Sequence, residues 1–413
     1  MTETQEILLS FLCLGAVLLF QRFSPPSFTM LKLLKRYSRL FLVSWAPRYQ
    51  GQWHGFSLQR LLVMLVFWPS FLLVQAINGI GLGLDYLLFP GFRRVSVREP
   101  LFVIGVPRSG TTFLHRLLAM DSRFTTTALW ELLFAPSITQ RYFWTGMARL
   151  DKWLGRPGAR LVCWLERRLL SGLDGVHKTG LLDPEEDYLG LIPVWGCFLL
   201  VLVVPVPSLW QLTFLDRDGS ADEKQRLMQS YRRFVQRHLY FHGQGKTLLS
   251  KNPSFTPWME TLAEAFPDAR FIGCLRSPTA AVPSQVNSIL IGARLFDGRD
   301  TTAYWREGFL AMLEYYYLHL IEVAEQMPQQ RRALSVMETL VRAPSDTVLG
   351  FYRRFGWQAD AHFCEQLQEQ DRKAKQYRSG HHYSLDALGV SDDELLQRFG
   401  WVYERFGFIK PDG

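Results

Sequence analysis

Two glycines, Gly105 and Gly110, frame a short loop inside residues 101–120, where an apolar stretch gives way to an amphipathic one. A strand that turns through glycines into a helix directs backbone N–H groups and the positive end of the helix dipole at an anion, usually a phosphate. The spacing of the two glycines is that of a nucleotide-binding P-loop. Thr111 stands where a P-loop NTPase carries its lysine, and Arg108 places a cation within the loop itself. The sequence therefore predicts a phosphate cradle without the usual kinase geometry.

Two other apolar stretches each end at a cation. Lys251 follows the first, Arg276 follows the second, and Ser284 lies eight residues after Arg276. An NTPase ends this kind of strand with an acid that helps to hold magnesium. A basic residue with a serine two helical turns later suits a second phosphate that is bound without a metal. We therefore expect Arg108, Lys251 and Arg276 to converge on one ligand that carries phosphate groups.

These residues require strands and helices that alternate along the chain. Strands are expected at 101–106, 247–250 and 270–275, and helices at 111–120, 220–239, 257–265, 302–326, 346–355 and 392–406. Alternation of this kind around a P-loop predicts an α/β fold, with a P-loop-type parallel sheet flanked by helices. In such folds the ligand lies at the carboxyl ends of the strands.

The first hundred residues differ in composition from the rest. They hold ten Lys and Arg against four acidic residues, while the chain of 413 residues has a formal net charge of +8. Residues 7–20 and 61–84 carry no charge. Because the basic residues flank these apolar runs, the region is typical of a membrane surface rather than of nucleic acid.

Three interpretations of the two apolar runs stay open. Residues 7–20 are short for a membrane span, which needs about 20 apolar residues. One run would then span or dip into the bilayer while the other lies in the interface, or both are ordinary buried helices. A signal peptide is a third interpretation, and Glu3 and Glu6 in place of a basic amino-terminal region disfavour it.

We expect two domains, with a boundary near residue 98. Residues 1–98 form a hydrophobic, basic, membrane-associating helical region, and residues 99–413 form a catalytic domain. The five cysteines are scattered without a C-x-x-C pair, which indicates a reducing compartment and no structural zinc. The catalytic domain is expected to be cytoplasmic, because basic residues follow the first apolar run while Glu3 and Glu6 precede it.

Together the motifs resemble the sulfotransferase superfamily, whose members use 3′-phosphoadenosine 5′-phosphosulfate (PAPS), in the bacterial-type branch with the PRSGTT loop at residues 107–112. The resemblance covers roughly residues 95–410. It implies a 5′-phosphosulfate loop formed by Arg108, Ser109, Gly110, Thr111 and Thr112. It also implies that Arg276 and Ser284 bind the 3′-phosphate and that Lys251 faces the transferring group.

The resemblance also implies a general base. Glu131 lies 23 residues after Arg108, close to where such enzymes keep a catalytic glutamate, and its apolar neighbours could raise its pKa. Glu185 and Glu186 are an alternative base or a helix N-terminal pair. Arg108 and Lys251 would place positive charge on the bridging oxygen as the sulfuryl group leaves.

Four further residues are candidates for binding the donor or the acceptor. Lys375 and Arg378 would close over the 3′-phosphate as a basic carboxyl-terminal loop, and His177 would orient the acceptor. Trp195 belongs to the uncharged residues 189–212, which form either an apolar wall of the acceptor cleft or a buried core segment.

The expected reaction moves a sulfuryl group from PAPS to a hydroxyl of a lipid or other hydrophobic acceptor and releases 3′,5′-bisphosphoadenosine, without a metal. A glycan or a protein tyrosine is the alternative acceptor. A P-loop NTPase or kinase is disfavoured by the missing lysine and by Arg276 where an acid would hold magnesium. A membrane scaffold that binds nucleotide without catalysis is a further alternative.

Overall fold

The computed structural model describes residues 30–170, 180–374 and 390–411. Its strands are β1 (Arg48–Tyr49), β2 (Gln52–Trp53), β3 (Leu101–Gly105), β4 (Phe124–Thr125), β5 (Thr247–Lys251), β6 (Arg270–Leu275) and β7 (Arg332–Val336). The helices before residue 200 are α1 (Met30–Trp45), α2 (Leu58–Leu88), α3 (Thr111–Leu118), α4 (Leu129–Phe134), α5 (Ile138–Trp153) and α6 (Pro157–Leu170). The later helices are α7 (Leu200–Val203), α8 (Pro207–Trp210), α9 (Leu215–Asp218), α10 (Ala221–His242), α11 (Met259–Ala265), α12 (Pro278–Phe296), α13 (Thr302–Gln326), α14 (Met337–Arg342), α15 (Pro344–Phe355), α16 (Ala361–Ala374) and α17 (Asp392–Phe406). Short 3₁₀ helices occupy Pro90–Arg94, Asp187–Val194, Gln211–Phe214, Pro253–Trp258 and Gln329–Arg331.

Within the described ranges, five parallel strands form the main sheet in the order β4-β5-β3-β6-β7. In the central strand, Leu101 lies opposite Leu249 of β5 and Arg270 of β6. The predicted α/β fold with a parallel sheet flanked by helices is confirmed. Because the strands are parallel, the ends of β3, β5 and β6 meet at one edge, as expected for Lys251 and Arg276.

Side chains of the central strand alternate between two hydrophobic layers. Phe102 and Ile104 belong to the core cluster that contains residues of α10, α12 and α13. Leu101 and Val103 belong to the second cluster, with residues of α3, α15 and α16. A strand that is buried on both faces has a continuous apolar sequence, and this is why β3 could be predicted from the sequence.

Helix α12 was not predicted, although it carries Ser284. Pro278 occupies its first turn and Pro283 lies within it. Proline is tolerated in the first turn of a helix but is disfavoured in the helix interior, so Pro283 argued against a helix here. The two-residue β4, the edge strand β7 and the helices α5 and α6 were also not predicted.

The amino-terminal region shares the core of the catalytic region. Leu40 of α1 and Met64 and Trp68 of α2 are buried in the same cluster as residues of α10 and α13. The division at residue 98 stays a prediction. The run at residues 7–20 lies outside the described residues.

Helix α2 has the length and composition of a membrane span. Its 31 residues include a window of mean hydropathy 2.0, of which only 17% is buried. Glycine makes its contact with α5 possible, because a Cβ at Gly81 would lie 2.5 Å from Ser137 Oγ. Asn78 adds a hydrogen bond from its amide to the Leu133 carbonyl at 3.0 Å.

Candidate active site

A glycine is required at the end of β3, where the strand leads into the loop. Gly105 has φ +129°, and a Cβ there would lie 2.1 Å from the Cys274 carbonyl oxygen. Thr256 fixes both peptide groups that flank the Gly105 Cα, since its hydroxyl accepts from the Gly105 N–H at 2.8 Å and donates to the Gly105 carbonyl at 2.7 Å. No other residue type fits this position without displacing β6.

The loop itself is a tight turn onto α3. Arg108 and Gly110 have positive φ of 66° and 84°, and the Ser109 hydroxyl donates to the Val106 carbonyl at 2.5 Å. Thr111 begins α3 directly after Gly110. Because the first N–H groups of a helix have no acceptor within it, those of Thr111 and Thr112 are suited to bind an anion.

The structure brings together the loop arginine and the two residues predicted to bind the second phosphate. Arg108 Nε donates to Ser284 Oγ at 2.9 Å, and Arg276 Nη1 donates to the Arg108 carbonyl at 3.1 Å. Ser284 is buried, while both arginines are partly exposed. Two guanidinium groups and a hydroxyl therefore meet beside the end of β3, which is a suitable arrangement for a phosphate.

Lys251 is held by two carboxylates rather than by the loop. Its Nζ lies 3.2 Å from Glu185 Oε1 and 3.2 Å from Glu186 Oε1, and the side chain is 1% exposed. Burial alone would lower the pKa of Lys251, but Glu186 and Glu185 outweigh it and raise that pKa. Lys251 is therefore charged, and its two carboxylate contacts use two of the three N–H donors, so a ligand phosphate could accept from the third.

Lys251 lies on the same face of β5 as Leu249, which belongs to the cluster that contains residues of α3. His115 of α3 is buried, and its Nε2 lies 2.7 Å from Thr126 Oγ1. Burial and then the charge of Lys251 lower the pKa of His115 to about 3. The histidine is therefore neutral beside the charged lysine.

The acidic segment at residues 183–187 is anchored on both sides. The Glu185 N–H donates to the Thr127 carbonyl at 2.9 Å, and Pro184 bridges to Ala128. Asp187 accepts from Ser250 Oγ at 2.9 Å and from the Tyr231 hydroxyl at 2.5 Å. Burial raises the pKa of Asp187 to about 6 although both hydrogen bonds lower it.

Glu131 has three partners that the sequence did not predict. Its carboxylate lies 2.6 Å from His242 Nε2 and 3.6 Å from Arg141 Nε, and it accepts from the Ala128 N–H at 3.0 Å. Burial alone would raise its pKa, but Arg141 and the His242 hydrogen bond outweigh it and lower the pKa of Glu131 to about 2. These contacts favour a positioning role, and the predicted role as base stays a prediction.

Replacing Glu131 with glutamine is expected to destabilise the fold above pH 5. A carboxyl whose pKa is lower in the folded than in the unfolded state contributes stability that is present above its unfolded pKa and lost as the pH falls toward about 2. The shift from 4.5 to about 2 corresponds to as much as about 3 kcal/mol at neutral pH. Unfolding curves between pH 7 and pH 3 test this, with the exposed Glu264→Gln as control. Identical pH profiles for wild type and Glu131→Gln would contradict it.

Glu131 also lies in a group of residues of the types that bind metal ions, but a positively charged arginine contacts this group. Glu131, His238 and His242 offer ligand atoms within 4.8 Å of one another. Both nitrogens of His238 already have partners, Thr125 Oγ1 at 2.9 Å and Arg141 Nη1 at 3.2 Å. The buried guanidinium group of Arg141, which contacts both Glu131 and His238, would repel a divalent cation.

Trp195 lies in the core under α1 and α2. Its side chain has no exposed surface, and its ring lies 5.2 Å from that of Tyr37 and 5.6 Å from that of Phe71. This favours the core interpretation of residues 189–212, and acceptor binding by Trp195 stays a prediction. His177, Lys375 and Arg378 lie outside the described residues.

Some residues that contact the candidate catalytic residues could not be predicted from a sequence motif. His242 and Arg141 reach Glu131 from other helices, and no motif links them. The acidic segment was recognisable, but its two contacts with Lys251 follow only from the fold.

Comparison with known proteins identifies relatives of one kind. A sequence profile described as the sulfotransferase family matches residues 100–361. The omega-hydroxy-beta-dihydromenaquinone-9 sulfotransferase Stf3 of Mycobacterium bovis is 30% identical over 195 residues, which are 46% of this chain and 44% of that protein. The chain thus matches less than half of the length of this curated relative. The Mycobacterium tuberculosis protein of the same name matches to the same extent.

Solved structures resemble the fold. The crystal structure of sulfotransferase STF1 from Mycobacterium tuberculosis has a TM-score of 0.67 and 20% identity, and the match covers 95% of this chain and 98% of that one. The crystal structure of sulfotransferase STF9 from Mycobacterium avium has a TM-score of 0.64 and 20% identity, and the match covers 80% of this chain and 83% of that one.

Proposed function

The chain belongs to the sulfotransferase family, and we propose that it transfers a sulfuryl group from PAPS to the hydroxyl of a lipid or other hydrophobic acceptor. The family requires a sulfonate donor. The observation that supports PAPS is the cluster of Arg108, Ser284 and Arg276 beside the loop, because it offers cations and a hydroxyl to a second phosphate. No metal takes part in the proposed reaction.

The donor would lie across the carboxyl edge of β3. The N–H groups at the start of α3, with Ser109, Gly110, Thr111 and Thr112, would bind the 5′-phosphosulfate. Arg276 and Ser284 would bind the 3′-phosphate. Arg108 contacts both partners of the second phosphate and also belongs to the loop, so it would link the two ends of the donor.

The chemical step needs a nucleophile in line with the departing phosphate. The acceptor oxygen attacks sulfur, the bond between sulfur and the bridging oxygen breaks, and the electron pair leaves with the phosphate of 3′,5′-bisphosphoadenosine. Lys251 and Arg108 would stabilise the charge on that oxygen. Glu185 and Glu186 accept two of the three N–H donors of Lys251, so the third could bind that oxygen.

The proton of the acceptor hydroxyl would go to a carboxylate near Lys251. We favour Glu186, because it contacts Lys251 and is 20% exposed, whereas Glu185 also binds the Glu186 N–H through the same oxygen. Glu131 remains the alternative predicted from the sequence. It lies near this segment through Ala128, but its oxygens already have three partners.

A lipid-like alcohol is the acceptor that the surroundings favour. By its name, the curated relative Stf3 acts on a hydroxylated menaquinone derivative. The chain also exposes a long apolar helix, α2, which supports association with a membrane. The catalytic region would then face the cytoplasm, where PAPS is made. A glycan or a protein tyrosine is the alternative acceptor.

Donor binding should depend on Arg276 and not on a divalent metal. Arg276→Ala is expected to weaken binding of 3′,5′-bisphosphoadenosine by about 1.5–3 kcal/mol, the value of a hydrogen bond to a charged group. Binding of adenosine 5′-monophosphate should change little. Calorimetric titration with EDTA present measures both, with the exposed Arg372→Ala as control. Strict dependence on magnesium, or equal loss for both nucleotides, would contradict the proposed donor site.

A further inference from the structure

Helix α2 cannot cross a bilayer while the protein keeps this fold, because both of its ends are bonded to the same folded body. Near its start, Arg60 is buried and donates to the carbonyls of Ser44 and Val203, each at 2.7 Å. Near its end, Asp85 is buried and forms a salt bridge of 2.8 Å with Arg237 of α10. Between these two residues the helix runs about 37 Å, more than the hydrocarbon thickness of a bilayer.

The end near Asp85 is also fixed to α5. The carboxylate accepts from the N–H groups of Ile138 at 3.0 Å and Thr139 at 2.9 Å, which caps α5. A spanning α2 would place Val203 and Leu239 of α10, which belong to one hydrophobic cluster, on opposite sides of the membrane. The helix therefore lies along the body and presents its other side outward.

That outer side adjoins a second apolar element. Exposed residues of α2 include Leu62, Leu65, Val66, Leu73, Ile77 and Leu87. The hairpin of α5 and α6 exposes Phe143, Trp144, Met147, Trp153, Leu161 and Trp164. Phe89, just after α2, stacks on Tyr142 of α5 with ring centroids 5.4 Å apart, so the two elements are neighbours.

The hairpin is also basic. Residues 142–170 contain six arginines and lysines and two acids. One of the acids, Asp151, is already used, because it accepts from the N–H groups of Gly158 and Ala159 at 2.6 and 3.0 Å and so caps α6. Exposed tryptophans beside basic residues are typical of a surface that binds the interface of an anionic bilayer.

We propose that the outer side of α2 and the α5–α6 hairpin together form a docking face that seats the protein on one leaflet of an anionic membrane, without crossing it. The docking face would bring the protein to the bilayer that holds the proposed lipid acceptor, and only that consequence rests on the proposed function.

Vesicle binding tests the docking face without donor or acceptor. Full-length protein should float with vesicles that contain phosphatidylglycerol and bind at least about tenfold more weakly to pure phosphatidylcholine. Phe143→Ser with Trp153→Ser, or Lys152→Glu with Arg156→Glu, should each reduce binding to anionic vesicles by about tenfold. Ile409→Ser and Arg372→Glu with Lys373→Glu, which change exposed residues elsewhere, should bind as wild type does.

Each alternative gives a different result. Unchanged binding of the hairpin variants would overturn the docking face. Wild-type protein that is dimeric by light scattering, with monomeric hairpin variants and no vesicle binding, would assign this face to a second copy of the chain. Retained bisphosphate binding by all variants shows that they are folded, and it separates failure of the docking face from failure of the proposed donor site.

A labelling experiment tests whether α2 stays on one side. Gln52→Cys and Arg94→Cys flank α2 in exposed positions. In a background in which Cys13, Cys163 and Cys364 are serine, both should react with an impermeant maleimide from the same side of sealed membrane vesicles. The remaining Cys197 and Cys274 are buried. Labelling of the two positions from opposite sides would overturn the proposal.

Discussion

Lys251→Met is expected to lower turnover by about 100- to 1,000-fold, because it removes a buried positive charge that would stabilise the leaving phosphate in the transition state. The Lys251 side chain is 1% exposed and its ammonium group contacts two carboxylates, so it acts in surroundings where water screens little. Initial rates with saturating PAPS measure the effect. Lys246→Met, an exposed lysine near the start of β5, should keep the wild-type rate.

Loss of Lys251 also leaves Glu185 and Glu186 without their cation, so stability must be measured with activity. Lys251→Arg keeps the charge and should retain the fold, but its larger planar head is expected to recover little turnover. If Lys251→Met is stably folded, binds bisphosphate and turns over within about tenfold of wild type, the lysine does not contact the reacting group.

Glu186→Gln is expected to lower turnover by about a hundredfold or more, the range of a general base, with unchanged affinity for the bisphosphate. The substitution removes a proton acceptor with almost no change of shape. Glu131→Gln should be measured beside it, because the two possible assignments of the base predict different outcomes for this variant. If Glu186 is the base, Glu131→Gln changes stability and its pH dependence more than turnover.

The opposite result would return the base role to Glu131. That outcome is Glu131→Gln with turnover about a hundredfold lower at full stability, together with an active Glu186→Gln. Glu185→Gln extends the comparison, since Glu185 shares Lys251 but also binds the Glu186 N–H.

The convergence of the residues that we predict to bind the donor could be predicted from the sequence, because each part is a local pattern. Gly105, Arg108 and Gly110 lie in one loop, and a strand that is apolar on both faces leads into it. Ser284 was found by its distance from Arg276, although its helix was missed because of Pro283. Parallel strands then bring these residues to one edge, so their convergence followed from the fold class, while their role in donor binding stays a prediction.

The electrostatic partners could not be predicted, because they depend on contacts between distant segments. Glu131 was expected to have a raised pKa from its apolar neighbours, and the structure instead places Arg141 and His242 against it and lowers the pKa to about 2. Likewise, the uncharged run at residues 61–84 indicated a membrane segment. Its position along the body follows from Arg60 and Asp85, whose partners lie far along the chain.

Transfer of labelled sulfuryl groups from PAPS to a membrane alcohol is the most direct test of the proposed reaction. Full-length protein is incubated with [³⁵S]PAPS and anionic vesicles that contain a long-chain isoprenoid alcohol, and the label is then partitioned between organic solvent and water. We expect label in the organic phase in equal amount to the 3′,5′-bisphosphoadenosine released, with EDTA present, and none with Arg108→Ala. Release of bisphosphoadenosine with all label left in water as inorganic sulfate, or turnover of ATP in place of PAPS, would contradict the proposed function.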